Sequence, residues 1–215
     1  SLEKNTSKKY FFGKDFNIAK SENGFIQYQD GLGELVLPEP SILGDHQLYN
    51  ISTSIAASRK IFNIKDEYIR NGIKNISLKA RLEEIKSGKL KDIAGNNKLV
   101  IDGGHNISAS LSIANWIKNQ NEEANLIVGM MKDKEHVEFI KAFENIVNSI
   151  TLIDIPNQDG AISKEDFKKK LDNSKLNLKL SNGIEESIKS LSKNENTIIL
   201  CVGSLYLAGE ILSLN

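Results

Sequence analysis

The sequence predicts an α/β protein whose C-terminal part is a mainly parallel sheet with helices on both faces. From residue 97 onward, short apolar runs alternate with amphipathic stretches, from "KLVID" and "ISASLSIANWIKNQ" to "TIILCVG" and "SLYLAGEILSL". Five strand–helix pairs follow one another within about 115 residues, and such pairs build parallel sheets because parallel strands need crossover helices. In sheets of this class, ligands bind beyond the carboxyl ends of the strands.

The N-terminal third of the chain shows a different pattern. Three short aromatic or β-branched runs, "KYFFGKDF", "GFIQYQDG" and "GELVLPEP", predict antiparallel strands joined by tight turns. Apolar residues then recur at near-helical spacing in "LGDHQLYNISTSIAASRKIF", which predicts a helix whose first turn is capped by Asp45. A second helix is predicted in "KDEYIRNGIKNI".

A charged stretch, "SLKARLEEIKSGKLKDIAGNN", separates these two regions and has weak periodicity. We therefore predict a first domain of residues 1–78 and a second domain of residues 79–215. The second domain is expected to continue with strands "ANLIVGM", "SITLIDI" and "LNLKL" and with helices "HVEFIKAFENIV", "SKEDFKKKLD" and "NGIEESIKSLS". Ser163 and Asp166 are placed to form a capping box.

Composition argues against several classes of function. The 28 basic and 28 acidic residues cancel, and lysine-rich segments such as "EDFKKKLD" contain acids, so no nucleic-acid surface is expected. No run approaches the roughly 18 apolar residues of a membrane span and no signal peptide opens the chain, so we expect a cytoplasmic protein without membrane contact. Cys201 lies in the apolar run "TIILCV" and is expected to be buried and structural.

One turn of unusual composition follows a predicted strand, in "LVIDGGHNIS" at residues 99–108. Asp102 would lie at the carboxyl end of the strand, and a helix beginning near Asn106 or Ser108 would point its free N–H groups at the same crevice. Gly103 and Gly104 would permit the close approach of a ligand or unusual backbone angles, and Asp102 can accept hydrogen bonds from ribose hydroxyls. The local pattern equally allows Asp102 and Asn106 to be simple helix caps.

Four stretches in order, "GDHQLYN", "KARLEE", "DGGHN" and "GSLYLAGE", resemble the C-terminal half of folylpolyglutamate synthase/dihydrofolate synthase, a member of the Mur ligase superfamily. The segment "IVGMMKDK" is similar to the Gly-x-x-x-Asp-Lys turn of that family. The resemblance extends over nearly the whole chain and implies a Rossmann-like C-terminal domain preceded by the tail of an α/β central domain. The residues that match the family's motifs are Gly44, His46, Gln47, Asn50, Arg81, Asp102, His105, Asn106, Gly129, Asp133 and Lys134.

The sequence departs from the family pattern in several places. Ile107 stands where the family commonly has Pro, Ala80 stands where it has Gly, and the interval between Arg81 and Asp102 is long. A complete member also carries a Gly-Lys-Ser/Thr phosphate loop, and no "GxxxxGK[ST]" occurs in these 215 residues. The chain also begins without an initiator Met. We therefore expect a fragment, which alone would be inactive.

The resemblance implies an ATP-dependent amide ligase. A carboxylate is phosphorylated to an acyl phosphate, and the α-amino group of L-glutamate displaces the phosphate. The implied partners are ATP, folate or dihydropteroate, and L-glutamate, and the protein is expected to be a monomer. Mg²⁺ is implied as a cofactor, with its ligands expected upstream of this chain and none within it.

The resemblance also assigns roles to four residues. Asn50 would contact the adenine, Asp102 would hold the ribose, and Arg81 would stabilise the negative charge on the γ-phosphate, for which a guanidinium is well suited. His105 would lie near the reacting phosphate as the candidate catalytic residue. For Arg81 the alternative is an ion pair with a neighbouring acid, Glu83 or Glu84.

Two other functions remain open from the sequence. Another Mur-type ligase, which joins an amino acid to a cell-wall precursor, would share the ATP chemistry and differ in its substrate. A non-catalytic nucleotide-binding module is the third possibility, although "DGGHNIS" does not satisfy the "GxGxxG" of dinucleotide-binding folds. His136, in "DKEHVEF", is expected to be a solvated helix residue.

Overall fold

A computed structural model of the chain describes residues 8–21, 23–40, 45–172 and 176–215, without the side chains of Asp45 and His46. The chain divides into two compact units, Ser1–Ser77 and Leu78–Asn215. Gly44, the predicted cap by Asp45 and the side chain of His46 lie outside what is described. Within the described ranges, no helix is long and apolar enough to cross a membrane.

The first unit is a three-stranded antiparallel sheet packed against two helices. Its strands, in sheet order, are β1 (Phe16–Lys20), β2 (Ile26–Asp30) and β3 (Gly33–Leu37), and its helices are α1 (Asp45–Lys60) and α2 (Asp66–Lys74). The sequence placed the first strand too early, because residues 13–15 form a turn in which the Asp15 carboxylate accepts from Phe11 N. The core consists of Phe16, Ile26, Tyr28, Leu35, Leu37, Ile51, Ile55, Ala56, Ile69 and Ile73.

A buried ion pair joins the sheet of this unit to its first helix. Arg59 Nη1 lies 2.9 Å from Asp30 Oδ1, and the two side chains are 7% and 1% exposed. The Asp30 carboxylate also accepts hydrogen bonds from Tyr28 Oη and Leu32 N, at 3.1 and 2.8 Å. Arg59 further reaches Asp66 at the start of α2, with Nε 3.3 Å from Oδ1. The charge of Asp30 is therefore compensated by several donors, as a buried carboxylate requires.

The second unit is a six-stranded sheet in the order β4-β5-β9-β6-β7-β8. All neighbouring strands are parallel except β4, which pairs antiparallel with β5. The strands are β4 (Glu83–Ile85), β5 (Lys98–Ile101), β6 (Ala124–Val128), β7 (Ser149–Leu152), β8 (Leu178–Leu180) and β9 (Ile198–Val202). The helices are α3 (Lys89–Ala94), α4 (Ile107–Lys118), α5 (His136–Lys141), α6 (Lys164–Lys170), α7 (Ile184–Leu191) and α8 (Leu205–Leu214).

Helices cover both faces of this sheet, which confirms the predicted fold class. Alternating strand residues enter two separate cores, so that Val100 packs with α4, α5 and α6, whereas Leu99 and Ile101 pack with α3, α7 and α8. Cys201 lies in the second of these cores, and burial raises the pKa of its thiol to about 12. The predicted cap of α6 also forms, since Ser163 Oγ accepts from Asp166 N at 3.1 Å.

The sequence did not predict β4 and α3, which occupy the charged stretch assigned to the domain junction. β4 has three residues and α3 has six, and neither is long enough for a periodic pattern to emerge. The antiparallel pairing places Glu83 opposite Ile101, so the chain just before β4 lies beside the residues that follow β5. The long interval between Arg81 and Asp102 therefore contains β4 and α3, and β5 then brings the chain back beside Arg81.

The order of the strands creates a switch point between β5 and β9. These two strands are parallel neighbours, but α4 follows β5 on one face and α8 follows β9 on the other. In open α/β sheets the crevice at such a point, beyond the carboxyl ends of the strands, is where ligands bind.

His136 is buried rather than solvated, and the sequence prediction for it was wrong. It is 3% exposed at the start of α5, with its ring 5.0 Å from that of Phe167. Its Nε2 lies 3.0 Å from Met131 O, and Lys170 Nζ approaches its Nδ1 at 3.4 Å. Burial, together with the Lys170 ammonium, lowers the pKa of His136. The ring is therefore held neutral, with Nε2–H donating to Met131.

Replacing Arg59 by Met should destabilise the first unit by about 3–5 kcal/mol, because the Asp30 carboxylate would remain buried without its cation. The control is Arg70→Met, which removes an exposed arginine that donates to Val36 O and should cost less than about 1 kcal/mol. Native-state hydrogen exchange of the β2 amides measures both effects. Equal losses of protection in the two variants would contradict the assigned role of the buried pair.

Protonation of His136 should destabilise the second unit at acidic pH. Since the pKa of His136 is lower in the folded state, the unfolded chain binds its proton more tightly. The contribution of neutral His136 to the free energy of unfolding is fully present above the pKa of the unfolded state, about 6.5. It is lost as the pH falls from there toward the lower pKa of His136 in the folded state. Between about pH 7.5 and pH 5.5, the wild type should therefore lose more unfolding free energy than His136→Gln, as urea titrations would measure. Equal losses of unfolding free energy in the two proteins would contradict this role of His136.

Candidate functional site

The loops that follow β5 and β9 are joined at the switch point of the second unit. Gly203 N donates to Gly104 O at 3.0 Å, and α4 and α8 begin a few residues further along these loops. Asn106 Oδ1 caps α4 by accepting from Ala109 N, and Ser204 Oγ caps α8 by accepting from Tyr206 N. The amino ends of two helices, with their partial positive charge, therefore lie at one edge of the sheet.

Gly103 is closely surrounded by other side chains of the protein. A Cβ at this position would overlap the Leu205 side chain and would lie 3.2 Å from Arg81 Nη1. A Cβ at Gly104 would lie 2.7 Å from the Cβ of Ala109. The sequence attributed both glycines to the close approach of a ligand or to unusual backbone angles. Neither has a positive φ, and atoms of the protein's own side chains adjoin both.

The Asp102 carboxylate binds backbone N–H groups on two segments. Its Oδ2 accepts from Leu82 N at 2.8 Å and its Oδ1 accepts from Gly104 N at 2.6 Å, and the residue is 5% exposed. The capping alternative for Asp102 is wrong, because Asn106 caps α4. A ribose contact by Asp102 stays a prediction.

Arg81 is carried by a strained turn. The residues on either side of it, Ala80 and Leu82, have φ values of +53° and +47°, a conformation that costs about 1–2 kcal/mol for a residue with a side chain. Both residues are buried, Ala80 in one core of the unit and Leu82 in the other. Glycine would adopt the left-handed conformation at position 80 without this strain.

Three contacts hold this turn in place. Ala80 N donates to Glu83 Oε2 at 2.8 Å, Ala80 O accepts from Gly103 N at 2.9 Å, and Leu82 N donates to Asp102. Strained backbone persists only where the surrounding structure over-determines it. The turn is thus fastened both to β4 and to the loop after β5.

The Arg81 side chain is half-buried, and its one hydrogen bond in the described structure is from Nη1 to Ala80 O at 3.3 Å. Among the described residues no carboxylate forms an ion pair with it. The alternative ion pair with Glu83 or Glu84 is therefore not formed, since Glu83 instead binds Lys79 Nζ at 2.8 Å. Most of the fixed fork of donors on Arg81 remains available to an anion.

His105 lies between this turn and the loop that follows β6. Its Nδ1 is 2.9 Å from Gly103 O, so Nδ1 carries a hydrogen and donates it to this carbonyl. The Lys134 ammonium lowers the pKa of the Asp133 carboxyl, and His105 adds a smaller effect in the same direction. The loops after three neighbouring strands, β5, β6 and β9, thus converge at this edge.

Asn50 lies in the first unit, on the second turn of α1. It is exposed, and its Nδ2 donates to Gln47 Oε1 at 3.1 Å. Gln47 itself is 3% exposed. The structure therefore brings together Arg81, Asp102 and His105 within the second unit, and the assignment of Asn50 to adenine stays a prediction.

The sequence analysis did not identify the backbone groups of the site. This edge of the sheet is held together by backbone groups, namely the N–H groups of Leu82 and Gly104 and the carbonyl groups of Ala80 and Gly103. A side-chain motif in the sequence does not indicate such contacts. No group of His, Cys, Asp or Glu that could hold a metal ion occurs in the described ranges.

Comparison with known proteins identifies the family to which this chain is similar. Residues 86–214 match the family model of the dihydrofolate synthetase C-terminal domain. A probable dihydrofolate synthetase of Schizosaccharomyces pombe is 22% identical over 219 residues, which cover 91% of this chain and 50% of that protein.

Two solved structures share the fold. Mycobacterium tuberculosis folylpolyglutamate synthase complexed with ADP and AMPPCP has a TM-score of 0.79 at 19% identity, covering 94% of this chain and 48% of that one. The bifunctional folylpolyglutamate synthase/dihydrofolate synthase of Yersinia pestis, complexed with AMPPNP and Mn ion, has a TM-score of 0.77 at 19% identity, covering 95% and 46%. This chain spans half or less of each of these three proteins. The predicted resemblance is confirmed, and the chain belongs to the family of the dihydrofolate synthetase C-terminal domain.

Proposed function

We propose that the chain is the C-terminal portion of an ATP-dependent ligase that adds L-glutamate to dihydropteroate or to folates. The family match and the names of the three similar proteins support the folate branch over a cell-wall ligase. The observation that carries the proposal is Arg81, an arginine without an ion pair among the described residues, held at the switch point beside the amino ends of α4 and α8. An anion is the natural ligand of such an arrangement.

The proposed reaction has two steps. The substrate carboxylate attacks the γ-phosphate of ATP to give an acyl phosphate and ADP, and the amine of glutamate then attacks the acyl carbon and expels phosphate. Negative charge moves through the phosphoryl oxygens in the first step, and the Arg81 guanidinium would stabilise it there. His105, with its Nδ1 held by Gly103 O, would use Nε2 to orient the substrate or the incoming amine.

The remaining parts of the ATP site are proposed to lie outside this chain. The Yersinia pestis synthase was solved with AMPPNP and Mn ion, which supports the use of a nucleotide and a divalent cation, Mg²⁺ in our proposal. A phosphate loop and the metal ligands would come from the part of the related proteins that this chain does not span. The 215-residue chain by itself is accordingly proposed not to hydrolyse ATP.

The test is a ligase assay on the complete protein, defined as this chain together with a phosphate-loop ATPase domain. ADP formation should require both L-glutamate and either dihydropteroate or a folate. Arg81→Ala should lower kcat/KM for ATP roughly 100-fold, the usual effect of removing one donor to transition-state charge.

Arg70→Ala is the matched control, because this exposed arginine lies in the first unit and donates to the backbone of Val36. Its kcat/KM for ATP should stay within about twofold of the wild type. ADP formation that depends on a cell-wall precursor rather than on a folate would overturn the proposed substrate. Full activity of Arg81→Ala would remove this arginine from the site.

A further inference from the structure

We infer that His136 is a positioning residue for the proposed reaction. Its buried ring fixes the turn of residues 131–134, and this turn holds the Lys134 ammonium at the same edge of the sheet as Arg81 and His105. The ammonium would contact a carboxylate or phosphate oxygen of a substrate. The inference rests on the proposed function, since it assumes that the substrates meet at this edge. His136 itself is 3% exposed and acts only through the turn.

The turn of residues 131–134 follows β6 and closes on one carbonyl group. Met131 O accepts from Lys134 N at 3.3 Å and lies 3.0 Å from His136 Nε2. In addition, His136 N donates to Lys134 O at 3.1 Å. Both ends of the turn are therefore bonded to His136, the residue at which α5 begins.

The ring of His136 is held from the side of α6. It lies edge-on to the ring of Phe167, with centroids 5.0 Å apart, and Lys170 Nζ approaches its Nδ1 at 3.4 Å. An ammonium can only donate, so Nδ1 is the acceptor and the ring hydrogen lies on Nε2. This is the tautomer that can donate to Met131 O. The contacts of both ring nitrogens thus select one state of the ring.

The two halves of the turn are anchored differently. Lys132 N donates to Gly160 O at 2.8 Å, in the loop after β7, so the first half has a partner outside the turn. The Lys134 half depends on the bonds to Met131 and His136. Without the ring donor, Met131 O would keep only the longer bond from Lys134 N. Displacement of a positioned group by about 1 Å can cost on the order of 100-fold.

The turn brings a cation to the candidate site. Lys134 Nζ lies 2.9 Å from Asp133 Oδ2, and the two side chains are 29% and 71% exposed. Lys134 lowers the pKa of the Asp133 carboxyl, and His105 adds a smaller effect, so the pair lies near the loop after β5. Because exposed ion pairs contribute little free energy, an anionic oxygen of a substrate can replace Asp133 as the partner of the ammonium.

The test measures the KM values of ATP, the folate substrate and L-glutamate for variants of the complete ligase. Lys134→Ala should raise one of the three about tenfold or more, because a hydrogen bond between two charged groups is lost. The substrate affected shows whether the oxygen belongs to a phosphate or to a carboxylate.

His136→Leu removes the ring donor and keeps a buried apolar side chain. It should raise the KM of the same substrate at least about fivefold, with kcat within about threefold of the wild type. The amide N–H of a glutamine can take the place of Nε2–H, so His136→Gln should restore this KM to within about twofold. In the Lys134→Ala background, His136→Leu should add less than about a further twofold.

Phe143→Leu is the matched control for lost packing. Phe143 is buried in the same core as Phe139 and Phe167, with its ring 5.6 Å from that of Phe139. This variant should lower stability and leave all three KM values within about twofold. The inference is overturned if Lys134→Ala raises no KM, if His136→Leu raises none or that of a different substrate, if the two effects multiply, if His136→Gln fails to restore the KM, or if Phe143→Leu has the same effect.

NMR of the 215-residue chain separates this inference from the proposed function. At neutral pH the ring ¹⁵N shifts of wild-type His136 should show a neutral imidazole with its hydrogen on Nε2. In His136→Leu, the Lys134 amide should exchange at least about threefold faster, while the Lys132 amide keeps its rate. A hydrogen on Nδ1, or an unchanged Lys134 amide, would overturn the inference even if the ligase is active. A wild-type ligase that forms no ADP would instead overturn the proposed function, and the inference with it.

Discussion

The edge of the sheet depends on one buried carboxylate. Asp102 joins the turn around Arg81 to the loop after β5 through two backbone hydrogen bonds, and the same loop is joined to β9 by the contact between Gly203 and Gly104. A carboxylate is suited to this position because it has no donor of its own and can accept from several N–H groups at once. Neither an amide nor a hydroxyl would serve all of these groups equally.

The strand order makes this junction possible. Since β9 is inserted between β5 and β6, the loops after three neighbouring strands meet, and the helices after β5 and β9 leave on opposite faces. The antiparallel strand β4 then brings Arg81 back to the end of β5. Ala80 and Leu82 enter different cores, which anchors both sides of the arginine while its guanidinium stays accessible.

Much of the second unit could be predicted from its sequence, because fully apolar strands alternate with amphipathic helices at clear spacing. Helix α4 begins at Ile107, as the cap residue Asn106 and the apolar pattern indicated. The short elements β4 and α3 could not be predicted, since a strand of three residues is fixed by its pairing with β5 rather than by its own composition. His136 was misjudged because its charged neighbours in sequence hide the apolar contact with Phe167.

The side chains of the candidate site were assigned from sequence motifs, whereas their geometry could not be predicted. Motif residues identified Arg81, Asp102 and His105, which lie at one edge, whereas the roles of Gly103 and of the Leu82 amide depend on contacts between segments 20 residues apart. The buried pair of Asp30 and Arg59 was missed for the same reason, since its partners are 29 residues apart. Spacing along the chain carries no signal for such pairs.

The central claim is that this edge of the sheet receives the phosphates of a nucleotide through Arg81. A crystal structure of the complete ligase with a non-hydrolysable ATP analogue and Mg²⁺ tests it most directly. The account predicts a terminal phosphate oxygen within hydrogen-bond distance of the Arg81 guanidinium, with Leu82 N still bonded to Asp102. Phosphates bound away from the loops after β5 and β9, with Arg81 paired to a carboxylate of the protein, would contradict it.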